Sequence, residues 1–460
     1  MKRIYSVFLI ALFLCVGCTV GPNYKRPKVD TPSVYRADQG QAGASLGNEK
    51  WWTVFDDPQL QELIRTAVRE NYDVRIAAAR VLQAQAVLGI TRADQFPTIN
   101  GNVAGVNERV ARSVAGHEAN TGAMAVNLSL IWELDFWGKF RRATEAARAD
   151  LLATEWGQRA VISSLVSNVA TAYFQLRELD LEMEISKQTL STREESLRLV
   201  KVRQQGGVVS MMDVRQSEEL VYGAAASIPD LERQIEQQEN FISILLGRNP
   251  GPIVRGRPLV ANTISATVPA GLPSELLERR PDIRSAEESL VAANARIGVA
   301  KAAWFPSIVL TGTGGYQSSA LTALFAAPAG FWSIGAQAVQ TVFNGGRIRN
   351  NVKFTEAQQQ EAALRYQQTI QQSFREVSDS LVAYTKNQES RKQQELLTGS
   401  AAEAVQLSNA RYRGGAASYL EVLDSDTRYF SAQLNLAQAQ LNERLALVQL
   451  YNALGGGWER

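Results

Sequence analysis

Histidine and cysteine, the residues that zinc sites and most nucleophilic catalysis depend on, are scarce in this 460-residue chain, which has one histidine and two cysteines. His117 is the only histidine, and one imidazole cannot supply the several ligands of a zinc site. Adjacent acids such as Glu194 and Glu195 lie on a helical pattern without a converging partner, so a solvated helix face is favoured over general acid–base catalysis. The sequence also lacks a phosphate-binding loop. It therefore predicts a protein that is not an enzyme and that holds no cofactor and no metal.

The two cysteines, Cys15 and Cys18, follow an N-terminal apolar run that is too short to span a bilayer. Residues 1–17 are typical of a signal peptide. A small residue directly before Cys18 resembles a bacterial lipobox, which implies that Cys18 becomes the first mature residue and carries acyl chains. The alternative is a plain signal peptide with an incidental cysteine. Residues 18–50 contain several prolines and glycines and are predicted to form a lipidated, extended tether.

The overall composition excludes one class of partner. A formal net charge of +2 gives no concentrated basic excess, so no nucleic acid is expected to bind. Gln, Ala, Glu and Arg are frequent over long stretches, which favours long helices with solvent-exposed polar faces.

The chain is internally duplicated, because motifs recur about 208 residues later with almost no insertion. We predict a first structural repeat over residues 51–255 and a second over residues 256–460, each with helices and two strands. The recurring pairs include Asp73 with Asp282, Phe96 with Phe305, Gly138 with Gly346 and Leu246 with Leu454.

Each repeat is predicted to contain a long helical hairpin. Glycine and proline are absent from Arg347 to Thr398, a run that would reach about 75 Å as one helix. Apolar residues spaced by four and three positions indicate a coiled-coil seam in both repeats. Two short breaks form the predicted tips, and Ser210 and Ser418 could cap the helices that follow. These tips either dock a partner or are plain turns; their glycines are Gly206, Gly207, Gly414 and Gly415.

Alternating apolar and polar residues between the helices predict two strands in each repeat. The clearest run extends from Met124 to Phe136 and has the period of a transmembrane β-strand. A last candidate runs from Phe331 to Phe343, and the alternative for all four is one face of a soluble sheet. Four strands cannot span a bilayer as an open sheet, because the backbone groups at its edges would stay unpaired. We therefore expect a homotrimer with a 12-stranded β-barrel, continuous with a long α-helical coiled-coil barrel.

The motifs across nearly the whole chain resemble the TolC family of outer membrane efflux channels, in particular its lipoprotein OprM/NodT-type branch. The matching motifs include Trp52 to Leu60, and the most specific stretches are Leu272 to Ile283, Phe305 to Ile308 and Leu454 to Trp458. The resemblance implies a mixed fold of helices and transmembrane strands, assembled as a trimer in the Gram-negative outer membrane and extending into the periplasm. It also implies the exit duct of a tripartite pump for drugs or other small molecules. The remaining partners would be a periplasmic adaptor and an inner membrane transporter, commonly of the resistance-nodulation-division type.

The resemblance further assigns roles to particular residues. Leu420 and Asp424 map to the ring that closes the periplasmic end, and Arg428 lies one helical turn beyond Asp424. Asp424 and Arg428 form either a latch between chains or a solvated pair on one helix. The adaptor is expected to contact the tips near the four glycines.

Two other functions are consistent with parts of the sequence. A type I secretion duct would use the same architecture for polypeptides, and a lipid-anchored periplasmic coiled-coil scaffold would lack membrane strands. The substrates themselves cannot be deduced from the sequence.

Overall fold

A computed structural model describes residues 19–35, 45–110, 119–259 and 269–458. The predicted signal peptide, Cys18 and His117 lie outside these described residues. The helices are α1 Trp51–Val54, α2 Pro58–Glu70, α3 Tyr72–Ala93, α4 Lys139–Gln205, α5 Met211–Leu245, α6 Pro273–Arg279, α7 Pro281–Ala302, α8 Arg347–Arg413 and α9 Tyr419–Ala453. The strands are β1 Thr98–Val110, β2 Ala119–Leu134, β3 Ser307–Ser318 and β4 Gly330–Val339.

The internal two-fold repeat is confirmed in the lengths of the helices. Helices α3 and α7 have 22 residues each, α4 and α8 have 67, and α5 and α9 have 35. Within the described residues, no helix combines the length and the apolar character needed to cross a lipid bilayer. We call α4 with α5 the first hairpin, and α8 with α9 the second hairpin.

The chain forms two compact units that cut across the two repeats. The first unit contains the described residues of Met1–Lys28, with Arg80–Glu155 and Ser285–Gln367. The second contains the described residues of Val29–Ala79, Trp156–Arg284 and Gln368–Arg460. Each repeat therefore contributes segments to both units.

The first unit holds one antiparallel sheet in the order β1-β2-β3-β4. The four predicted strands are confirmed, although β4 ends at Val339 and not at the expected Phe343. The register places Asn102 opposite Asn127 and Ser129 opposite Thr313, so amides and hydroxyls lie in the middle of one face of the sheet, which also carries Glu108 and Glu133. Strand residues two apart point to the same side, so Leu128 and Leu130 lie on the other, apolar face.

The N-terminal segment of this unit lacks regular secondary structure, and specific contacts hold it in place. Arg142, whose side chain is only 4% exposed, donates to the carbonyl oxygen of Val20 at 3.3 Å and to Oδ1 of Asn23 at 2.7 Å. Further along, Arg26 forms an ion pair of 2.7 Å with Glu287 on α7. Residues 19–26 are therefore a docked part of the unit.

The second unit contains the main hydrophobic core. The seam predicted on α4 is buried, and its residues pack with α2 and with the ends of α5 and α9. The seam predicted on α8 is also largely buried, with Ile370 and Val377 almost inaccessible. The buried seam members of α4 are Ile162, Val166, Val169, Tyr173 and Leu176.

The absence of glycine and proline for many residues after Pro58 also predicts a single helix from about Pro58 to Gln95, but this prediction was wrong, because Asn71 interrupts the helix. Asn71 has extended backbone angles, and its side chain accepts hydrogen bonds from the backbone N–H groups of Asp73 and Val74. Its amide also donates to the carbonyl oxygen of Leu245 at the end of α5. In the second repeat, Arg280 separates α6 from α7 and donates to the carbonyl oxygen of Ala453 at the end of α9.

Candidate functional site

The tip of the first hairpin is a tight helix–turn–helix connection. Gly207 has a φ of +72°, a left-handed conformation that a residue without a Cβ atom adopts readily. The N–H of Val208 donates to the carbonyl oxygen of Arg203 at 2.9 Å, as in a Schellman motif. Ser210 then caps α5 in a reciprocal capping box with Asp213.

The tip of the second hairpin has the same turn but a different cap. Gly415 has a φ of +75°, equivalent to Gly207, so the second glycine of each pair is the left-handed one. The expected cap by Ser418 was wrong, because its side chain makes no capping hydrogen bond. Glu421 forms an ion pair of 3.1 Å with Arg411 across the turn instead of closing a capping box.

The two serines provide a matched pair for mutation. Ser210→Ala is expected to destabilise the start of α5 by about 1 kcal/mol, because it leaves the backbone N–H of Asp213 without its cap. Ser418→Ala should have almost no effect, since no side-chain cap is lost. Amide hydrogen exchange in the first turns of α5 and α9 measures both. Equal acceleration of exchange in the two variants would contradict this assignment.

Near the tips, α9 packs against the first hairpin of the same chain. Tyr419, Val422 and Leu423 form a buried cluster with Val200 on α4 and Val214 on α5. The Tyr419 hydroxyl donates to Ser217 Oγ at 3.1 Å and lies 3.2 Å from Ser196 Oγ. These contacts bind the start of α9 to both helices of the first hairpin.

An ion pair reinforces this attachment. Arg193 on α4 contacts Asp426 on α9 at 2.8 Å, and their side chains are only 7% and 20% exposed. Arg193 also donates to the carbonyl oxygen of Leu220 at 3.0 Å and lies over the Phe430 ring. A cavity of about 70 Å³ lies beside the pair. We call Arg193, Tyr419 and Asp426 the interhairpin clamp; sequence reasoning missed all three.

The residues expected to form the gate lie on a different, exposed face of α9. Leu420 is 61% exposed. Asp424 and Arg428 form an ion pair of 3.0 Å on the same helix, with side chains 57% and 76% exposed. Within one chain the structure thus brings these two together as an intrahelical pair, and an exposed pair of this kind contributes only about 0–1 kcal/mol.

One buried carboxylate in α4 has an unusual environment. Glu178 is 6% exposed and lies beside Glu182, one helical turn away. Burial, together with the neighbouring carboxylate, raises the pKa of Glu178 to about 8. At neutral pH this side chain is therefore predominantly protonated.

Comparison with known proteins identifies the family. The profile of the outer membrane efflux protein family matches residues 63–248 and 272–456, one match in each repeat. The chain belongs to the outer membrane efflux protein family. As an outer membrane efflux protein, it is an outer membrane channel component of an efflux pump.

Several relatives of this efflux protein match over nearly their full length. The solvent efflux pump outer membrane protein SrpC of Pseudomonas putida is 37% identical, with 98% of each chain covered. The cation efflux system protein CusC of Escherichia coli K12 is 34% identical, also with 98% of each covered.

Solved structures of this efflux protein's relatives have the same fold. A crystal structure of CusC has a TM-score of 0.87 at 33% identity and covers 96% of this chain and 100% of its own. The open-state MtrE outer membrane channel of Neisseria gonorrhoeae has a TM-score of 0.89 at 32% identity, covering 96% and 99%. The family fold of long helices and four strands per chain is therefore that of this efflux protein.

Proposed function

We propose that three copies of this chain form a passive exit duct of a tripartite pump, carrying small molecules from the periplasm to the outside. The proposal rests on the sheet. Its outer strands β1 and β4 each have one edge that does not pair with another strand of the same sheet. In hydrocarbon those edges require partners, and joining β4 of one copy to β1 of the next satisfies them. Three copies supply twelve strands, enough for a water-filled bore.

The polar face of the sheet would line the proposed bore. The polar face of the sheet presents amides and hydroxyls, and Asn102 hydrogen-bonds Asn127 and Ser129 across β1 and β2. Water in the bore can hydrate these amides and hydroxyls, and they would not bind a passing molecule strongly. The names of the relatives refer to solvent efflux and to cation efflux. Selection among such compounds would belong to the partners of the pump.

The remaining assignments follow from the family resemblance. Cys18 would carry the lipid anchor, consistent with the docked segment that begins at Thr19. A periplasmic adaptor would contact the tips at Gly206, Gly207, Gly414 and Gly415. An inner membrane transporter of the resistance-nodulation-division type would complete the pump. Leu420, Asp424 and Arg428 would line the periplasmic gate.

Purified full-length protein tests this proposal directly. Electron microscopy in detergent is expected to show tubes built from three copies, because a single sheet cannot seal itself. Planar lipid bilayers containing the protein should show discrete single-channel conductance. A water-soluble monomer, or a protein that conducts nothing, would contradict the duct and favour the lipid-anchored scaffold.

A further inference from the structure

The connection between β3 and β4, residues 319–329, is unusually apolar for a loop. No charged residue occurs between Lys301 and Arg347, so both strands and their connection are uncharged. The connection between β1 and β2 leaves the same end of the sheet, and its sequence carries Arg112 and Glu118. Loops that lie in water are usually polar. The connection between β3 and β4 is therefore expected to meet a different environment.

This connection has a defined fold. Two short 3₁₀ turns, Leu321–Ala323 and Ala327–Ala329, occupy most of its length. The backbone N–H groups of Leu324 and Ala329 donate to carbonyl oxygens three residues earlier in the chain, at 3.2 and 2.9 Å. These donors are satisfied without water, which lowers the cost of placing the backbone next to lipid.

The apolar side chains of the connection are mostly uncovered. Leu321 and Phe325 are 65% and 70% exposed, whereas Leu324 is buried and anchors the turn. An exposed apolar patch of this kind marks a surface that meets another molecule or a membrane. The smaller exposed apolar residues of the connection are Ala320, Ala323, Ala326, Ala327 and Pro328.

The contact that Phe325 makes shows which face of the sheet the connection adjoins. The Phe325 ring lies 5.6 Å from the ring of Tyr316 in an edge-to-face arrangement. Tyr316 pairs with Val126 on β2, which lies on the same side of the sheet as Leu128. Gln317, the next residue along β3, lies on the opposite, polar face. Phe325 therefore extends the apolar face of the sheet.

We propose that residues 319–329 lie in the outer leaflet of the membrane, with Phe325 among the acyl chains close to the headgroups. This placement rests on the proposed duct, in which the apolar face of the sheet meets lipid. Phe325 continues that face at the end of the sheet opposite the strand ends that join the helices. Trp332, which is exposed on the same face, adds a second ring near this end.

The chemistry of the connection suits this partner. Aromatic side chains are favoured at the boundary between headgroups and acyl chains. A segment without charge has no ion to desolvate when it enters that boundary. The same placement directs Phe325 away from the polar face, so the connection between β3 and β4 would hold the barrel at a fixed depth and would not cover the mouth of the bore.

Nitroxide labelling tests this position. The full-length chain with Phe325→Cys is labelled with a thiol-specific nitroxide and reconstituted in phosphatidylcholine vesicles. Collisions of the nitroxide with oxygen, which concentrates in hydrocarbon, are compared with collisions with a water-soluble nickel complex. We expect an oxygen-to-nickel ratio several-fold higher at Phe325→Cys than at Gln317→Cys, the matched control on the polar face at the same end of the sheet. The signal from the chain without an introduced cysteine is subtracted.

A third position separates this inference from the duct itself. Ile334 is exposed on the apolar face, opposite Gly312, and should give an oxygen-rich signal as Ile334→Cys. Nickel-rich collisions at Phe325→Cys alone would overturn the placement of the connection and leave the duct intact. Few collisions with either reagent at Phe325→Cys would also overturn it, because they would show that protein covers this side chain. Nickel-rich collisions at all three positions would refute the lipid-facing sheet, and the duct with it.

Discussion

Replacing Asp426 with alanine is expected to release α9 from the first hairpin and to raise the single-channel conductance. The substitution leaves Arg193 as a cation that is 7% exposed and has lost its carboxylate. Breaking a buried pair in this way typically costs about 3–5 kcal/mol. The apolar cluster around Tyr419 would remain, but it lies only at the start of α9 and not along the rest of its contact with the first hairpin. A change of that size is enough to shift a closed state toward an open one.

The exposed pair on the same helix gives a matched control. Asp424→Ala also removes one carboxylate from an ion pair with an arginine, but both partners are more than half exposed. If closure depends on hairpin attachment, Asp426→Ala should conduct much more than Asp424→Ala. Asp426→Asn should fall between wild type and Asp426→Ala, because its amide oxygen can still accept from Arg193. Equal conductance in wild type and Asp426→Ala would contradict a role of the interhairpin clamp in closure.

The main features of the fold follow from local patterns in the sequence. Helices of 67 and 35 residues have continuous seams and lack glycine pairs, and the strands alternate with period two. The interruption at Asn71 has a local cause, the cap that its side chain provides for α3, and a tertiary cause that the sequence does not show. Its amide bonds the end of α5, which is 174 residues away in the chain. The sequence around Tyr72 gives no indication of this hydrogen bond between Asn71 and the end of α5.

The clamp could not be predicted for a related reason. Arg193 and Asp426 are 233 residues apart, and helical spacing does not reveal which faces of different hairpins meet. The duplication does contain a signal, since the chain has Tyr419 where the first repeat has Met211, and Ala401 where the first repeat has Arg193. Such differences between equivalent positions indicate that the contacts of the two positions also differ. The glycine pairs at the tips could be predicted because a turn is a local feature of the sequence.

The second large effect is expected from Glu178→Gln and depends on pH. The pKa of Glu178 in the folded protein is about 8, against an ordinary value of 4.5, because the group is buried and faces Glu182. A carboxyl with a raised folded-state pKa holds its proton more tightly when folded. Its contribution to stability is therefore full below about pH 4.5 and is lost as the pH rises to about 8. Each pKa unit corresponds to about 1.4 kcal/mol, so the loss amounts to a few kcal/mol.

Glutamine imitates the protonated carboxyl and does not ionise, so the variant should escape this loss. We expect Glu178→Gln to unfold at nearly the wild-type temperature near pH 4.5 and at a clearly higher temperature near pH 8.5, measured by loss of helical circular dichroism. Glu184→Gln is the matched control, because Glu184 lies on the same helix and is exposed. It should follow wild type at both pH values. A stabilisation by Glu178→Gln of the same size at both pH values would show that packing, and not the buried charge, controls this position.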